Sequence, residues 1–185
     1  MRVYPRLKRL LGEDERCFDV AVDHGSFNER SFLNGIEDMR GVVAMIVETN
    51  PDAIQLSPGL APLLQDRAGK RKPALVLRVD VTNAYGQGQP RALFSRVTGE
   101  AVEQALALDA ACIVVHLLLA PDQPELYDQC VENTGRLKPH CARYGMPLMV
   151  EALVMKPEEE GGGCENHYIK YRHLSASPPI SPFHG

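Results

Sequence analysis

Short runs of branched apolar residues alternate with longer amphipathic segments along the chain. The apolar runs contain few polar positions, which is typical of parallel strands that are covered on both faces. They predict five strands, at residues 17–22, 52–56, 74–81, 111–119 and 147–155. The segments between them repeat apolar residues at helical spacing and predict four helices, at residues 35–49, 60–66, 97–108 and 125–144.

Glycine and proline divide these elements. Asn50-Pro51 follows the first predicted helix and Tyr144-Gly145 follows the fourth. The regular order of strand and helix predicts a parallel α/β sheet with right-handed crossovers. Two architectures satisfy this order: the first five βα units of a (β/α)₈ TIM barrel, with strand order 1-2-3-4-5, and an open doubly wound sheet with order 2-1-3-4-5. Length alone favours the open sheet, because a whole barrel takes about 250 residues and this chain has 185.

The last part of the chain lacks this alternation. Residues 158–163 read EEEGGG, and three prolines fall within the final eight residues. Neither a helical nor a strand period can be found there. We therefore expect residues 1–157 to form the α/β domain and residues 158–185 to form an irregular tail.

Charge and composition narrow the class of protein. The formal net charge is -4, with 20 basic and 24 acidic residues that do not cluster, which argues against a nucleic-acid partner. No apolar run approaches the roughly 18 residues of a membrane helix, so we expect a cytoplasmic protein without a membrane partner. Five cysteines form no CxxC pair, and we expect them to be reduced, structural thiols.

Polar residues follow or interrupt four of the predicted strands near their carboxyl ends, where ligands bind in such folds. They are Asp23 and His24 after the first strand, Arg78 and Asp80 in the third, His116 in the fourth and Glu151 in the fifth. Together they predict a shared polar cavity, since isolated charges are costly to bury.

Each of these side chains also has a purely structural interpretation. Arg78 could form an internal ion pair with Asp80 or Glu151, His116 could be a satisfied core histidine, and Asp23 could cap a turn. Asp23, His24, His116 and Glu151 are suitable metal ligands, but no HxH or HExxH spacing supports a metal site. We expect neither a metal nor a cofactor.

Three segments resemble the class I aldolase superfamily, which includes tagatose bisphosphate, archaeal-type fructose bisphosphate and deoxyribose phosphate aldolases. The segments are AVDHGSF at 21–27, CIVVHLLLAPD at 112–122 and RYGMPLMVEALVM at 143–155, within a similarity over about residues 6–157. The resemblance implies the TIM-barrel architecture, present here as about five βα units. It also implies catalytic acid/base roles for Asp23 and Glu151, and substrate binding by His24, Arg78, Asp80 and His116. His116 stands where the tagatose-type enzymes have a lysine.

The resemblance further implies a carbon–carbon lyase that acts on a keto sugar or sugar phosphate through a lysine imine. In the family that lysine lies on the sixth strand, and neither Lys156 nor Lys170 is assigned to it. We therefore expect a chain that lacks the imine lysine. The alternatives are a non-catalytic barrel fragment and a small-molecule-binding α/β protein. Because five units cannot close an eight-stranded barrel, a homo-oligomer formed through open sheet edges is also expected.

Overall fold

The computed structural model of the chain describes residues 5–68, 72–85, 92–120, 123–157 and 164–167. Eight strands occur among them: β1 Asp19–Ala21, β2 Ala53–Leu56, β3 Ala74–Arg78, β4 Asp80–Thr82, β5 Ser95–Val97, β6 Cys112–Leu119, β7 Leu148–Pro157 and β8 Cys164–His167. Four α-helices accompany them: α1 Met39–Thr49, α2 Pro62–Gln65, α3 Ala101–Ala107 and α4 Pro124–Tyr144. Short 3-10 turns lie at Pro5–Arg9, His24–Ser26 and Arg30–Leu33.

Strands β1, β2, β3, β6 and β7 lie side by side in that order, and every neighbouring pair is parallel. Each parallel strand pairs with the one that precedes it in the chain, and the five strands form a curled half-barrel. A doubly wound sheet would instead place the first strand between the second and the third. The prediction of about five βα units of TIM-barrel type is therefore confirmed.

Two of the predicted helices begin four residues later than the sequence pattern suggested. Helix α1 starts at Met39 instead of residue 35, because the Asp38 carboxylate accepts a hydrogen bond from the Gly41 amide at 3.2 Å and caps the first turn. Helix α3 starts at Ala101 instead of residue 97, because residues 95–97 form strand β5. Helix α4 ends at Tyr144, and Gly145 after it adopts a left-handed φ of 61° that glycine tolerates well.

The third predicted strand, residues 74–81, is divided in the structure. Strand β3 ends at Arg78, and β4 leaves the barrel sheet to pair antiparallel with β5. Val79 connects the two sheets: its amide donates to the Val114 carbonyl, and its own carbonyl accepts from Thr98. This break brings both Arg78 and Asp80 into the buried interior, although they are not in the same strand.

The strands bury apolar side chains on both faces, as the continuous hydrophobic runs predict. The outer face packs against the helices through residues such as Ile54, Leu75, Leu77, Ile113 and Val115. The inner face carries a cluster of smaller residues near the amino ends of the strands, which we call the inner apolar layer: Leu10, Ala53, Ala74, Val76, Ala111, Cys112 and Val114. Val76 and Val114 are fully buried in this layer.

The segment before β1 closes the amino end of the half-barrel. Leu10 is buried in the inner apolar layer. Arg6 donates to the Ala110 carbonyl at 2.7 Å, and Arg9 forms an ion pair with Asp109 at 2.9 Å. The N-terminal turn is thereby fastened to the loop before β6.

The expected tail contains one strand that the sequence did not predict. Strand β8 pairs antiparallel with Val154–Pro157 of β7. Backbone pairing at a sheet edge satisfies free amide and carbonyl groups without needing a hydrophobic pattern, which explains why the pattern gave no signal. The rest of the predicted tail lies outside the described residues. Among the described strands, none pairs with the outer edge of β7 between residues 148 and 153.

No helix in the described part of the chain has the length and apolarity needed to span a membrane. Cys17, Cys112, Cys130 and Cys141 are free thiols, and the last three are buried. Burial raises the pKa of Cys112 to about 12 and that of Cys141 to about 11. These two thiols therefore pack as small apolar groups.

Candidate active site

The inner face of the half-barrel changes from apolar to polar within two residues on several strands. Because alternate residues of a strand share a face, Gln55 follows Ala53, Arg78 follows Val76 and His116 follows Val114 on the same side. We call the resulting group the polar layer; it consists of Asp23, Gln55, Arg78, Asp80, His116 and Glu151. Five of its members are at least nine-tenths buried, and only the Glu151 side chain is 33% exposed.

Arg78 is the centre of the polar layer. Its Nε donates to Asp23 Oδ2 at 2.6 Å, its Nη1 donates to Asp80 Oδ1 at 3.2 Å, and its Nη2 donates to Glu151 Oε2. Burial acts to lower the pKa of Arg78, but the three carboxylates outweigh it and hold that pKa above its ordinary value. The guanidinium is therefore a fixed cation that orients three acids.

Asp80 and His116 form a close pair beside this centre. Asp80 Oδ2 accepts from the backbone amide of His116 at 2.9 Å and lies 3.0 Å from His116 Nδ1. Burial acts to raise the pKa of Asp80, yet the hydrogen bonds from His116 and the charge of Arg78 lower it overall. Asp80 therefore remains ionised inside the protein. The Nε2 atom of His116 lies 3.9 Å from Glu151 Oε2.

Two polar residues of the inner face were not singled out from the sequence. Gln55 donates from Nε2 to Asp23 Oδ2 at 3.0 Å; its signal was an amide inside a four-residue apolar strand. Asp19, in β1, has a buried carboxylate oxygen that lacks a hydrogen-bond partner among the described residues. Burial, followed by the charges of Asp23 and Glu151, raises the pKa of Asp19 to about 6.

Every member of the polar layer except Asp80 lines a cavity of about 140 Å³. The cavity is also lined by three aromatic side chains, Phe27, Phe32 and Tyr85. The ring of Phe27 meets that of His116 edge-on at 4.9 Å between centroids, and the Arg78 guanidinium lies 5.5 Å from the Phe27 centroid. A space smaller than the roughly 300 Å³ of a typical drug-sized site suits a small ligand.

Two larger hollows lie elsewhere on the described surface. One of about 570 Å³ is found between β5, the start of α3 and α4, and one of about 540 Å³ is found between α4 and the start of β7. Neither is lined by a predicted site residue. We place the candidate site in the smaller cavity, because buried ionisable groups converge there at the carboxyl ends of parallel strands.

The structure brings together Asp23, Arg78, Asp80, His116 and Glu151, as the sequence predicted. His24 also lines the cavity, but it stands apart from the hydrogen-bonded group and packs its ring against Phe27 and Phe32. The internal ion pair considered for Arg78 is present, and it includes Asp23 as well as Asp80 and Glu151.

The chemistry of the cavity also depends on lysines and on metal-ligating side chains. No lysine whose side chain is described lines it; the side chain of Lys156 and all of Lys170 lie outside the described part. Within the described residues, no three His, Cys, Asp or Glu side chains are arranged to hold a metal ion.

A parallel half-barrel with converging acids, a guanidinium and an imidazole at the carboxyl ends of its strands has the architecture of barrel enzymes. Residues 17–175 match the DeoC/LacD family of aldolases. This match includes most of the chain, and the chain belongs to that family.

An uncharacterised aldolase of Saccharolobus solfataricus is 28% identical over 169 residues, which is 87% of this chain and 59% of that protein. The crystal structure of Cgl0159 from Corynebacterium glutamicum superposes with a TM-score of 0.65 at 17% identity, over 88% of this chain and 58% of that one. The latter supports the fold alone. The chain thus spans less than two thirds of the length of either protein.

Proposed function

We propose that the polar layer is the acid/base and substrate-binding part of an aldolase site for a small keto sugar or sugar phosphate. The observation that carries this proposal is the Arg78 centre, which holds Asp23 and Glu151 against one cavity at the carboxyl ends of the strands. Membership of an aldolase family supports the reaction class.

Asp23 and Glu151 are the proton-transfer groups in this proposal. Each uses one oxygen to accept from Arg78, and a carboxylate has further acceptor capacity for a ligand hydroxyl. Arg78, His116 and His24 contribute donors and acceptors that position the polar groups of a sugar, and Asp80 holds Arg78 and His116 in place. Phe27 and Tyr85 add apolar rings to the cavity lining.

The imine nucleophile of such an aldolase has to come from outside the described cavity lining. An imine draws electrons from the carbon bond that breaks, while an acid/base group takes the hydroxyl proton. The described side chains supply the second of these two functions. We therefore expect this chain to bind a hydroxy ketone without forming a covalent bond to it.

The test combines binding with chemical trapping. Dihydroxyacetone phosphate is titrated into the chain by calorimetry, and the mixture is then treated with borohydride for intact-mass analysis. Replacing a charged acceptor, as in Asp23→Asn, should weaken binding by about tenfold or more. The control Glu48→Gln, an exposed acid on α1, should bind as the unchanged chain does. Equal affinity of the Asp23 and Glu48 variants would contradict the proposed site, and a specific lysine adduct would contradict the expectation of binding without a covalent bond.

A second candidate function is association through the open edge. Val150 is 40% exposed on β7, and Leu148 and Met146 line the apolar hollow next to it. Unpaired strand edges with apolar faces favour pairing with another copy. Light scattering should show a dimer that Val150→Lys converts to monomer, whereas Val131→Lys on α4 has no such effect. A monomer at all concentrations would exclude this candidate.

A further inference from the structure

The Asp80–His116 pair has the geometry of a proton-transfer couple. We infer that Asp80 fixes His116 in the tautomer that carries its proton on Nδ1, and that Nε2 exchanges a proton with a hydroxyl group of the bound ligand. This inference rests on the proposed function, because the ligand is taken to be a hydroxy ketone. It adds to that function a third proton-transfer group.

The tautomer follows from the donors and acceptors around Nδ1. An ionised carboxylate can only accept, so the 3.0 Å contact with Asp80 Oδ2 requires a proton on Nδ1. Arg78 Nη1 also lies 3.2 Å from Nδ1; it has two N–H groups, one of which donates to Asp80 Oδ1 at 3.2 Å, so donation of the second to a bare Nδ1 is the competing arrangement. The other tautomer would leave two lone pairs, on Nδ1 and on Asp80, facing each other at 3.0 Å. The backbone amide of His116 keeps Asp80 Oδ2 in place.

The second nitrogen of His116 is left for a ligand. His116 is 1% exposed, and its Nε2 has no hydrogen-bond partner among the described residues. A core histidine that is only structural normally has both nitrogens satisfied. His116 lines the cavity, and its Nε2 lies 3.9 Å from Glu151 Oε2. That separation is too long for a hydrogen bond, but a ligand hydroxyl placed near both atoms could contact them together.

His24 is a second histidine of the cavity, without a described carboxylate partner like that of His116. Its Nδ1 is also buried without a described partner, and its ring lies against Phe27 and Phe32 at 5.9 Å between centroids. No described carboxylate forms a hydrogen bond with His24, so its tautomer is not fixed by an acid in the described part of the chain. His24 is therefore an internal comparison for any measurement on His116.

The proton transfer is simple to balance. An N–H bond forms at Nε2 while the O–H bond of the ligand breaks, and the electron pair of that bond stays on oxygen. The imidazolium that results keeps its Nδ1–H bond to Asp80, which stabilises the added charge. The charged groups that face the ring are Arg78 and Asp80 from the strand break, Glu151 from β7 and Asp23 after β1.

The first test reads the tautomer directly by ¹⁵N NMR of the imidazole rings in the full chain, at a pH where histidine is neutral. We expect a protonated Nδ1 and a bare Nε2 in His116. On saturation with dihydroxyacetone phosphate, the Nε2 signal should shift while Nδ1 changes little. A proton on Nε2 would overturn the inference, and so would an Nε2 signal that does not respond to the probe.

Two replacements of His116 separate its nitrogens. His116→Asn retains an N–H group for Asp80 but removes the atom at Nε2, so binding of the probe should fall by about tenfold or more with little change in the urea midpoint. His116→Gln places an amide near Nε2 and should restore part of the binding. The control His140→Asn, on the exposed side of α4, should change neither property. Equal binding by the two asparagine variants would count against the couple.

The outcomes distinguish this inference from the proposed function. The expected tautomer and Nε2 shift, without carbon–carbon cleavage by this chain or by a longer form of it, would leave the couple in place and remove the aldolase proposal. Carbon–carbon cleavage with a proton on Nε2 of His116 would support the aldolase proposal and contradict the couple.

Discussion

The inner apolar layer and the polar layer occupy the same face of the same strands, two residues apart, yet different interactions hold them together. Val76 and Val114 pack against small neighbours and Leu10. Arg78 and His116, which lie two residues further toward the carboxyl ends of the same strands, are held by hydrogen bonds to buried carboxylates. Stability at the amino end thus comes from the removal of apolar surface from water, and order at the carboxyl end comes from paired charge.

The two layers also differ in what they contribute to the free energy of unfolding. Burying a charge costs desolvation energy that its partner only partly restores, so an intact buried ion pair adds little net stability. Removing one partner is nevertheless costly, since the other charge remains buried. When it is intact, the polar layer should therefore add little to the free energy of unfolding, and the loss of one of its charges should lower that free energy strongly. Substitutions in the inner apolar layer should instead lower it in proportion to the volume removed.

The largest expected effect comes from removing the central cation. Arg78→Met leaves Asp23 and Asp80 buried without their counter-charge and should lower the free energy of unfolding by about 3 to 5 kcal/mol. Urea denaturation measures this change. Arg96→Met is the matched control: Arg96 is exposed and lies over the Phe94 ring, so the loss should be below about 1 kcal/mol.

Arg78→Lys keeps the charge but cannot reproduce three directed contacts, and it should recover part of the lost stability. If Arg78→Met were no more harmful than Arg96→Met, the polar layer would not depend on its guanidinium, and the contrast between the layers would fail.

A second change should increase stability, in a pH-dependent manner. The pKa of Asp19 is raised to about 6 in the folded state from an ordinary 3.8. The folded state therefore holds the proton more tightly, so stability is greatest below the unfolded pKa and is lost as the pH rises through the folded one. Asp19→Asn removes that loss and should add up to about 3 kcal/mol near pH 8 and almost nothing below about pH 4.

Urea midpoints of both chains across this pH range test the Asp19 prediction. Asp128→Asn, an exposed acid on α4, should show no such trend. A pH-independent difference for Asp19→Asn would mean that burial does not perturb this carboxyl group.

The smallest expected effect comes from the apolar layer. Val76→Ala removes two methyl groups from a site that is 1% exposed and should cost about 2 kcal/mol through lost burial and a small cavity. Val131→Ala, on the half-exposed side of α4, should cost less than about 0.5 kcal/mol. If Val76→Ala changed ligand affinity as much as stability, the two layers would be coupled more closely than their geometry indicates.

The fold was predictable because each βα unit carries its own signal. Continuous apolar runs located the five parallel strands, and Asn50 and Gly145, both in the left-handed region, marked helix ends. The β4–β5 pairing was missed, since three-residue strands with polar neighbours have no useful period. Because of this pairing Val97, the predicted first residue of a helix, belongs to strand β5 instead.

The site was predictable to the extent that charge stands out in an apolar strand. Arg78, His116 and Glu151 did so, and the structure places them together. Gln55 did not, because a single amide in a strand is common. Phe27 was also missed, since an aromatic residue after a strand usually indicates core packing, and its contact with His116 depends on the three-dimensional path of the chain.

The strand order of the half-barrel has a consequence for how the chain is made. Every parallel strand pairs with the parallel strand released before it by the ribosome, so the sheet can grow in the direction of synthesis without waiting for distant sequence. The N-terminal turn is the exception, because Arg9 needs Asp109, one hundred residues later. The contacts of the N-terminal turn with the loop before β6 can therefore form only after the third helix has emerged, although one partner in them is among the first residues to be made.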